Sequence, residues 1–434
     1  MKERPEGWER SLLGEMVKIE YGKGLRAADR SGTGEFSVIG SSGVVGTHSQ
    51  SLTDGPVIVV GRKGNVGAAY LAEKPSWPID TTYYFEVPSQ WEAKFVCYQI
   101  NHLGLDRLDS STAVPSLRRP DLEGIELAGP DRDEQQRIVE VIEEQFSRLD
   151  AGVESLQRAK RNLTRLRASL LSAAVEGRLG ASQSSDETAN GLPDYVRSTS
   201  IQSRLSGRQG NSRKPQPPPE TTAVSLSLPT GWQWVSIDQI ASRIEYGTST
   251  KAGSDSTGGV PVLRMGNIVE GTIDFSRLKF LPAEHPDSSR FVLEPGDLLF
   301  NRTNSPELVG KSAVFQASHM SATFASYLIR VQFLPGVVPH YVAYVINSPF
   351  GRSYIARVRS QQVGQANVNG SKLAAFPVPL PPTSEQHRIV AEVERQFSII
   401  DAMAKTIDAG LQRVGALRQS ILSKAFSGRL TGLA

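Results

Sequence analysis

Two polar loops, the first of them flanked by glycines, hold the side chains that could do chemistry in this 434-residue sequence. Each loop follows an apolar stretch with the length of a buried strand, GPVIVV in the first half of the chain and PGDLLF in the second. A glycine-flanked loop lets the backbone approach a ligand closely, and polar side chains there can hydrogen-bond phosphate oxygens and base edges. The side chains are Arg62, Lys63 and Asn65 in the first loop, and Asn301, Arg302, Thr303 and Asn304 in the second.

A second polar cluster follows in each half. Asparagine and glutamine can pair bidentately with adenine, and arginine with guanine. Each cluster taken alone is more typical of a solvated loop. Because the clusters recur at matching places in both halves, we predict that they bind DNA. They consist of Ser111, Thr112, Arg118 and Arg119 in the first half, and of Gln362, Gln365, Asn367, Asn369 and Lys372 in the second.

Fragments of catalytic motifs occur, but none is complete. GKGLRA at Gly22 lacks the strand–helix unit and the later acidic residue of a dinucleotide-binding fingerprint. GKS at Gly310 has Ser305 where a phosphate-binding loop requires glycine. The single cysteine, Cys97, excludes an internal disulfide and a cysteine-based zinc site, and the six histidines are scattered. We therefore expect a non-catalytic binding protein with no metal and no cofactor of its own.

A repeat reveals the elements that must position these loops. Residues 134–179 align without a gap with residues 385–430, and 20 of the 46 positions are identical. The two halves also begin alike, with GWERSLLGEMVKIEYG and GWQWVSIDQIASRIEYG. The sequences between these matched ends share almost nothing that can be aligned. The chain therefore consists of a variable module and a constant frame, followed by a second variable module and a second constant frame.

Each copy of the frame has the heptad spacing of a long helix with a coiled-coil seam. We place the helix N-caps at Asp133 and Ser384, and the C-terminal stops at Gly177 and Gly428. The first seam comprises Val139, Ile142, Phe146, Leu149, Leu156, Leu163 and Leu170. The second seam comprises Val390, Val393, Phe397, Ile400, Ile407, Val414 and Ile421.

The two seams match in length and register, so we expect them to pair with each other, antiparallel, within one chain. Such pairing gives a single polypeptide the pseudo-two-fold symmetry of a homodimer. A homodimeric coiled coil is the alternative. The predicted fold class is mixed α/β, with two globular α/β domains joined by two long antiparallel coiled-coil helices.

The predicted domain boundaries follow from this pattern. A segment rich in serine and proline separates the halves and reads as a linker. The boundaries are residues 1–133 for the first module, 134–179 for the first long helix, 180–229 for the linker, 230–382 for the second module and 383–434 for the second long helix.

Net charge gives little support for nucleic-acid binding by a global field. The whole chain carries +3, residues 1–133 carry 15 Lys and Arg against 19 Asp and Glu, and residues 231–382 carry 13 against 10. Any DNA binding must therefore rest on local patches. No apolar run approaches the length needed to span a bilayer and the N-terminus does not have the pattern of a signal peptide, so we expect a cytoplasmic protein without membrane contact.

Several segments carry a resemblance to a known family. They include PPTSEQHRIVAEVERQF with LRQSILSKAFSGRLT, and the first copies GPDRDEQQRIVEVIEEQF with LRASLLSAAVEGRL. The modules add GDLLFNRTN with LVGKSAVF, and DGPVIVVGRKGNVG with WPIDTTYYF. In order, spacing and duplication these segments resemble the specificity (S) subunit of type I restriction–modification systems, over nearly all of the chain except the linker.

The resemblance implies that each module is a target recognition domain for one half of a split, asymmetric DNA sequence. The long helices would fix the unread gap between the half-sites. The partners would be double-stranded DNA, two modification (methyltransferase) subunits with S-adenosylmethionine, and restriction/translocase subunits with ATP and Mg. Two alternatives stay open: a specificity subunit of a modification-only system, and a duplicated coiled-coil scaffold without DNA binding.

Overall fold

The computed structural model describes residues 7–30, 34–108, 115–179, 227–254, 256–318, 320–362 and 365–430. The chain divides into two compact units. The first unit comprises Met1–Ala159 and Thr406–Ala434, and the second comprises Lys160–Lys405. Each unit therefore combines one variable module with segments of both long helices.

The first module consists of short strands around one amphipathic helix. Its strands are β1 (Glu9–Leu12), β2 (Glu20–Tyr21), β3 (Phe36–Gly40), β4 (Gly43–His48), β5 (Val57–Gly61), β6 (Ala69–Ala72), β7 (Ser76–Pro78), β8 (Thr82–Phe85) and β9 (Glu126–Gly129). Its helices are α1 (Leu13–Met16), α2 (Ala93–Leu103) and α3 (Arg119–Glu123), and the long α4 (Arg132–Val175) follows.

The second module has a similar series of elements. Its strands are β10 (Gln233–Ser236), β11 (Ala241–Tyr246), β12 (Gly259–Leu263), β13 (Ile268–Val269), β14 (Thr272–Ile273), β15 (Lys279–Pro282), β16 (Leu298–Asn301), β17 (Thr303–Asn304), β18 (Ser312–Val314), β19 (Thr323–Phe324), β20 (Leu328–Phe333), β21 (Ser360–Gln362), β22 (Gln365–Asn367) and β23 (Pro377–Leu380). Its helices are α5 (Ile237–Ile240), α6 (Pro286–Arg290), α7 (Pro339–Asn347), α8 (Pro349–Val358) and α9 (Gly370–Ala374), and the long α10 (Thr383–Ala425) follows.

The two modules share one strand topology despite their unlike sequences. The main sheet has the order β2-β8-β5-β6 in the first module and β11-β20-β16-β18 in the second. A second sheet has the order β4-β3-β7 or β15-β12-β19, and its last pair is parallel in both cases. In each module the first strand pairs antiparallel with the last, β1 with β9 and β10 with β23. The mixed α/β fold class is thus confirmed, and the apolar runs that were predicted to be buried strands are β5 and β16.

The buried strands explain why the topology is kept. Every residue of β5 and of β16 is buried, as expected for central strands that are covered on both faces. In the first unit the core also contains Phe95, and the end of α10 contributes Phe426, whose ring lies 5.2 Å from that of Phe95. In the second unit the end of α4 contributes Ala174 and Val175 to the core. Each module is therefore completed by the end of the other frame's helix.

Both long helices begin earlier than the sequence indicated. Helix α4 begins at Arg132 and α10 at Thr383, so Asp133 and Ser384 lie inside the first turn and the predicted N-caps are wrong. The capping acceptor of α4 is Asp131, whose carboxylate accepts a 3.0 Å hydrogen bond from the N–H of Glu134. The earlier start is favoured because Asp131 satisfies an N–H group that the helix itself leaves free.

The predicted C-terminal stops are confirmed. Helix α4 ends at Val175, two residues before Gly177, and α10 ends at Ala425, three residues before Gly428. These glycines have φ values of +73° and +70°, the left-handed conformation that glycine adopts without steric cost.

Within each unit the two helix segments pack antiparallel. In the first unit Arg418 of α10 forms an ion pair with Asp150 of α4, and its guanidinium lies 5.0 Å from the ring of Phe146. Further along, Gly410 faces Leu156, so residue numbers rise along α4 where they fall along α10.

The second unit contains the equivalent contacts. Arg167 of α4 forms an ion pair with Asp401 and lies 5.0 Å from the ring of Phe397. The chain numbers of these three residues differ from those of the first-unit contacts by the offset of the repeat. Arg167 and Arg418 therefore make equivalent contacts between the helices of their own units.

None of the predicted seam residues is exposed. Val139, Ile142, Val390, Val393 and Ile400 are buried, and Phe146, Leu149, Leu156, Leu163, Leu170, Phe397, Ile407, Val414 and Ile421 are half-buried. In the part of the chain that the structure describes, no helix is both long enough and apolar enough to cross a membrane.

Candidate nucleic-acid interface

A tight loop after β5 positions Arg62. The N–H of Gly67 donates to the carbonyl of Gly61 at 2.8 Å, which closes the loop, and Gly67 has a φ of +78°. The backbone N–H of Arg62 donates to the carbonyl of Thr81 at 2.8 Å, and its carbonyl accepts from the N–H of Leu117 at 2.9 Å. The arginine backbone is thereby fixed on both sides.

The side chain of Arg62 is held by rings and a carbonyl. Its guanidinium lies 5.3 Å from the ring centroid of Tyr21 and 5.8 Å from that of Tyr83, and it donates a 2.9 Å hydrogen bond to the carbonyl of Asp80. Among the described residues it pairs with no carboxylate. Burial raises the pKa of Tyr83, so that ring stays neutral beneath the cation. The positive charge of Arg62 is thus ordered but not neutralised.

The loop after β16 positions Arg302 by the same set of bonds. The N–H of Gly310, with a φ of +83°, donates to the carbonyl of Asn301 at 2.7 Å. The N–H of Arg302 donates to the carbonyl of Tyr327 at 3.0 Å, and its carbonyl accepts from the N–H of Val368 at 2.9 Å. Both arginines therefore occupy one structural position in two different loops.

The side chain of Arg302 repeats the ring contact of Arg62. Its guanidinium lies 4.8 Å from the ring centroid of Tyr246 and donates one long hydrogen bond, 3.4 Å, to the carbonyl of Ser326. Its buried Nε has no hydrogen-bond partner in the structure. Within the described part of the chain this guanidinium also lacks a carboxylate partner.

The structure brings the predicted second cluster of each module beside the first. Lys63 forms an isolated bridge with Ser116, and the matching pair in the second module is Thr303 with Asn367. The amide nitrogen of Asn367 also donates a 2.7 Å hydrogen bond to the hydroxyl of Thr303. In the second module the two predicted clusters are thus neighbours although they are distant in sequence, and in the first module Ser116, which lies two residues before Arg118, adjoins the loop.

The two arginines at the start of α3 are already paired. Arg118 donates two hydrogen bonds of 2.7 and 2.9 Å to Asp121, and Arg119 donates one of 2.7 Å to Glu123. The Arg118 bonds lower the pKa of the Asp121 carboxyl, and the Asp121 carboxylate raises the pKa of Arg118. These guanidiniums therefore have less free charge than Arg62.

The remaining candidates are spread over the same region. Lys63, Asn65, Gln365 and Asn369 are exposed, Asn304 and Lys372 are half-buried, and Asn301 is fully buried. The side chain of Asn369 caps α9 by accepting from the N–H of Lys372 at 2.9 Å. Ser111 and Thr112 lie outside the described residues, as does the side chain of Gln362.

Residues that the sequence reading did not single out complete the arrangement. Tyr21 and Tyr246 end the matching strands β2 and β11, and each is followed by a glycine packed against a neighbouring carbonyl. The repeated letters IEYG at the start of both modules are the signal that could have identified them.

One buried glutamine also connects each module to the long helix that follows it. Gln135 accepts from the N–H of Glu92 at the start of α2, at 2.9 Å. Gln386 accepts from the N–H of Val338 at the start of α7, at 2.8 Å. Both lie at the second position of the repeated letters EQ that open each frame copy.

Two features describe the titratable side chains of the structure. Burial raises the pKa of the Cys97 thiol to about 12, so the thiolate nucleophile is not populated near neutral pH. Among the described residues no group of three or more His, Cys, Asp or Glu side chains could hold a metal ion. What the loops offer is a pair of ordered cations surrounded by amides and hydroxyls.

Comparison with known families decides the assignment. The family model of the type I restriction modification DNA specificity domain matches residues 5–161 and 229–413. The chain belongs to this family. The two matched segments begin close to the starts of the two modules, and each extends into the long helix that follows.

The relatives with this domain include two specificity subunits from Escherichia coli. The chain is 33% identical to the type I restriction enzyme EcoKI specificity subunit of strain K12 over 199 residues, which is 45% of this chain and 43% of that protein. It is 24% identical to the EcoDI specificity subunit over 431 residues, 98% of this chain and 89% of that protein. The match thus spans less than half of the EcoKI subunit.

A solved structure supports the fold. It comes from work on complex assembly and conformational transition of the type I R-M system. The similarity has a TM-score of 0.59 at 17% identity and covers 99% of this chain and 100% of that one. At this identity the likeness concerns the architecture of the chain and not its ligands.

Proposed function

We propose that this chain is the DNA-specificity subunit of a type I restriction–modification complex, and that it reads a bipartite, asymmetric DNA target. The observation that carries the proposal is the match of both halves to the specificity-domain family. It is supported by the ordered, unneutralised arginine that each module presents at one structural position.

The difference between the modules supports an asymmetric target. Both have the same strand order, but the side chains beside Arg62 and Arg302 differ. Sequence is read by hydrogen bonds to base edges, and these depend on side-chain type. Two modules with one fold and unlike loop chemistry therefore fit two unlike half-sites.

The partners in this proposal are double-stranded DNA, two modification subunits and the restriction/translocase subunits. The chain contributes no catalytic residue. S-adenosylmethionine, ATP and Mg belong to the partner subunits, and the long helices set the length of the unread DNA between half-sites. A specificity subunit that serves modification alone would use the same DNA site and differ only in its partners.

Methylation mapping tests the proposal. Cells that carry this chain with its partner methyltransferase should show adenine methylation within one bipartite, asymmetric motif. A single continuous motif or a palindrome would contradict it. Binding of duplex DNA by the assembled complex should weaken steeply as salt rises, because phosphate contacts release counterions. A complex that does not bind duplex DNA would instead indicate a scaffold for protein partners.

A further inference from the structure

Comparison of the two modules separates candidate contacts to the DNA backbone from candidate contacts to bases. This inference rests on the proposed function. If the modules read different half-sites, a group that is the same in both can serve only what the half-sites share. The shared part of any two DNA sequences is the sugar–phosphate backbone. The bases that distinguish the half-sites must then be read at positions where the modules differ.

The groups that are the same are an arginine and a tyrosine. Arg62 and Arg302 have the same backbone partners and the same type of side-chain acceptor, a carbonyl two residues before β8 or β20. Each guanidinium lies over a tyrosine ring, 5.3 Å from the centroid of Tyr21 or 4.8 Å from that of Tyr246. Among the described residues beside these loops, this is the one equivalent pair that has the same charge in both modules and the same contact with an aromatic ring.

The chemistry of this pair suits a phosphate group. A guanidinium presents a planar fork of N–H donors that matches two phosphate oxygens. Stacking on a ring orders the fork before the ligand arrives, which lowers the entropy cost of binding. The rings themselves are open to solvent, Tyr21 at 51% and Tyr246 at 41% exposure, so a strand of DNA can reach this face.

We propose that Arg62 with Tyr21, and Arg302 with Tyr246, form one phosphate clamp in each module, and that the neighbouring unlike residues read bases. The clamp adds affinity without sequence preference. It also fixes the position of the backbone relative to the loop that follows each arginine.

The unlike residues have distinct chemistry. At the position after the arginine, Lys63 of the first module corresponds to Thr303 of the second, and Ser116 corresponds to Asn367. A lysine amine can donate to the two acceptors of guanine, whereas an asparagine amide pairs with adenine. The first module thus has a guanine-reading group beside its clamp. The second has Asn367 as an adenine-reading group, whose amide nitrogen donates one N–H to Thr303 and retains a second N–H.

Salt titration of DNA binding tests the clamp. The full chain, assembled with its methyltransferase subunits, is titrated with a duplex carrying the mapped motif and with a duplex of scrambled sequence. Arg62→Ala and Arg302→Ala should each weaken binding to both duplexes by a similar factor, about tenfold for a lost charge-assisted hydrogen bond. The slope of log affinity against log salt should fall by about 0.9 for each lost phosphate contact.

Control variants separate the clamp from net charge. Arg148→Ala and Arg395→Ala remove the same charge from exposed helix positions where the arginine already pairs with Glu144 or Glu392. Both controls should leave affinity and slope near the wild-type values. Tyr21→Leu and Tyr246→Leu should weaken binding while the slope stays unchanged, because the arginine charge remains.

The outcomes are distinguishable. If an arginine variant loses affinity for the motif duplex alone, or if the methylated motif changes, the arginine reads bases and the clamp is overturned. Wild-type affinity and slope in both arginine variants would overturn it as well. If the wild-type complex does not bind duplex DNA, the failure lies in the proposed function itself.

Exchange of Lys63 and Thr303 tests the proposal that the residues beside the clamp read bases. Lys63→Thr should change the methylated sequence in one half-site only, and Thr303→Lys should change it in the other half-site only. A motif that is unchanged in both variants would overturn the assignment of base reading to this position. A change in both half-sites caused by either single variant would overturn it too.

Discussion

The two modules differ most where their loops leave the sheet and least where their strands are buried. The loop closed by Gly61 and Gly67 is shorter by three residues than the loop closed by Asn301 and Gly310. The first module carries a net negative charge, whereas the second carries a net positive one. Yet both place an arginine over a tyrosine at the equivalent point of their own main sheet. The buried strands thus keep the position of the site while the loops change its chemistry.

The junction between module and frame shows the opposite behaviour, because here the chain repeats its residues as well as its geometry. Gln135 and Gln386 each accept a hydrogen bond from the N–H of the residue that immediately precedes a module helix. The frame copies are therefore alike where they must hold a module, and the modules are unlike where they meet a ligand.

The largest effect on unfolding free energy is expected at the ends of the long helices. Phe426 and Val175 occupy equivalent positions of the repeat there. Both are buried in the core of a unit, at 8% and 1% exposure. Phe426→Ala should cost about 3–5 kcal/mol in unfolding free energy. Val175→Ala should cost roughly 2 kcal/mol, because it removes two buried methyl groups and leaves a smaller cavity.

Urea unfolding measures both variants. Leu417→Ala is the matched control, since Leu417 lies on α10 at 48% exposure and its loss should change stability by less than about 0.5 kcal/mol. Equal costs for Phe426→Ala and Val175→Ala would show that the helix ends do not contribute to the cores as described.

The buried glutamines should give a smaller effect. Gln386→Leu leaves the N–H of Val338 and the carbonyl of Pro381 without their partner and removes one of two donors to the carbonyl of Gly336, and should cost about 2–3 kcal/mol. Gln135→Leu leaves the N–H of Glu92 and one carbonyl, and should cost about 1–2 kcal/mol. Gln136→Leu, at an exposed position, is the control in a thermal melt. A Gln135 variant less stable than the Gln386 variant would contradict this order.

The smallest effect is expected for the ion pairs between the helices. A double-mutant cycle on Arg167 and Asp401 should give a coupling of about 0.5–1 kcal/mol, since the arginine side chain is only 22% exposed. The cycle on Arg418 and Asp150 should give about 0.2–0.5 kcal/mol, because those side chains are 40% and 61% exposed. Couplings that do not fall with added salt would contradict an electrostatic origin.

Much of the fold could be predicted from particular residues. The identical letters at Gly177 and Gly428 and the heptad spacing indicated the two long helices, because helix ends and seams have local sequence signals. The apolar run of β5 indicated a buried strand for the same reason. The N-caps were misplaced by two residues because Asp131 and Asp133 are both good capping residues, and only the fold decides between them.

The site was less accessible to sequence reasoning. Arg62 was identified from its loop, but Tyr21 lies 41 positions earlier and meets it only because β2 and β5 flank β8. The likeness of the two modules was also missed, since their strands conserve burial and order but not residue identity. That Arg118 is occupied by Asp121 depends on side-chain geometry, which the letters do not show.

The most direct test of the central claim exchanges one module for the other. Leu13 and Ile237 are equivalent at the entry of the modules, as are Ile125 and Phe376 at the exit, because each entry N–H bonds the exit carbonyl at 2.9–3.0 Å. A chain with residues 13–125 in place of residues 237–376 keeps both frames. Methylation mapping of this chain should give a motif built from two copies of the first half-site. Methylation of the unchanged asymmetric motif would contradict the account.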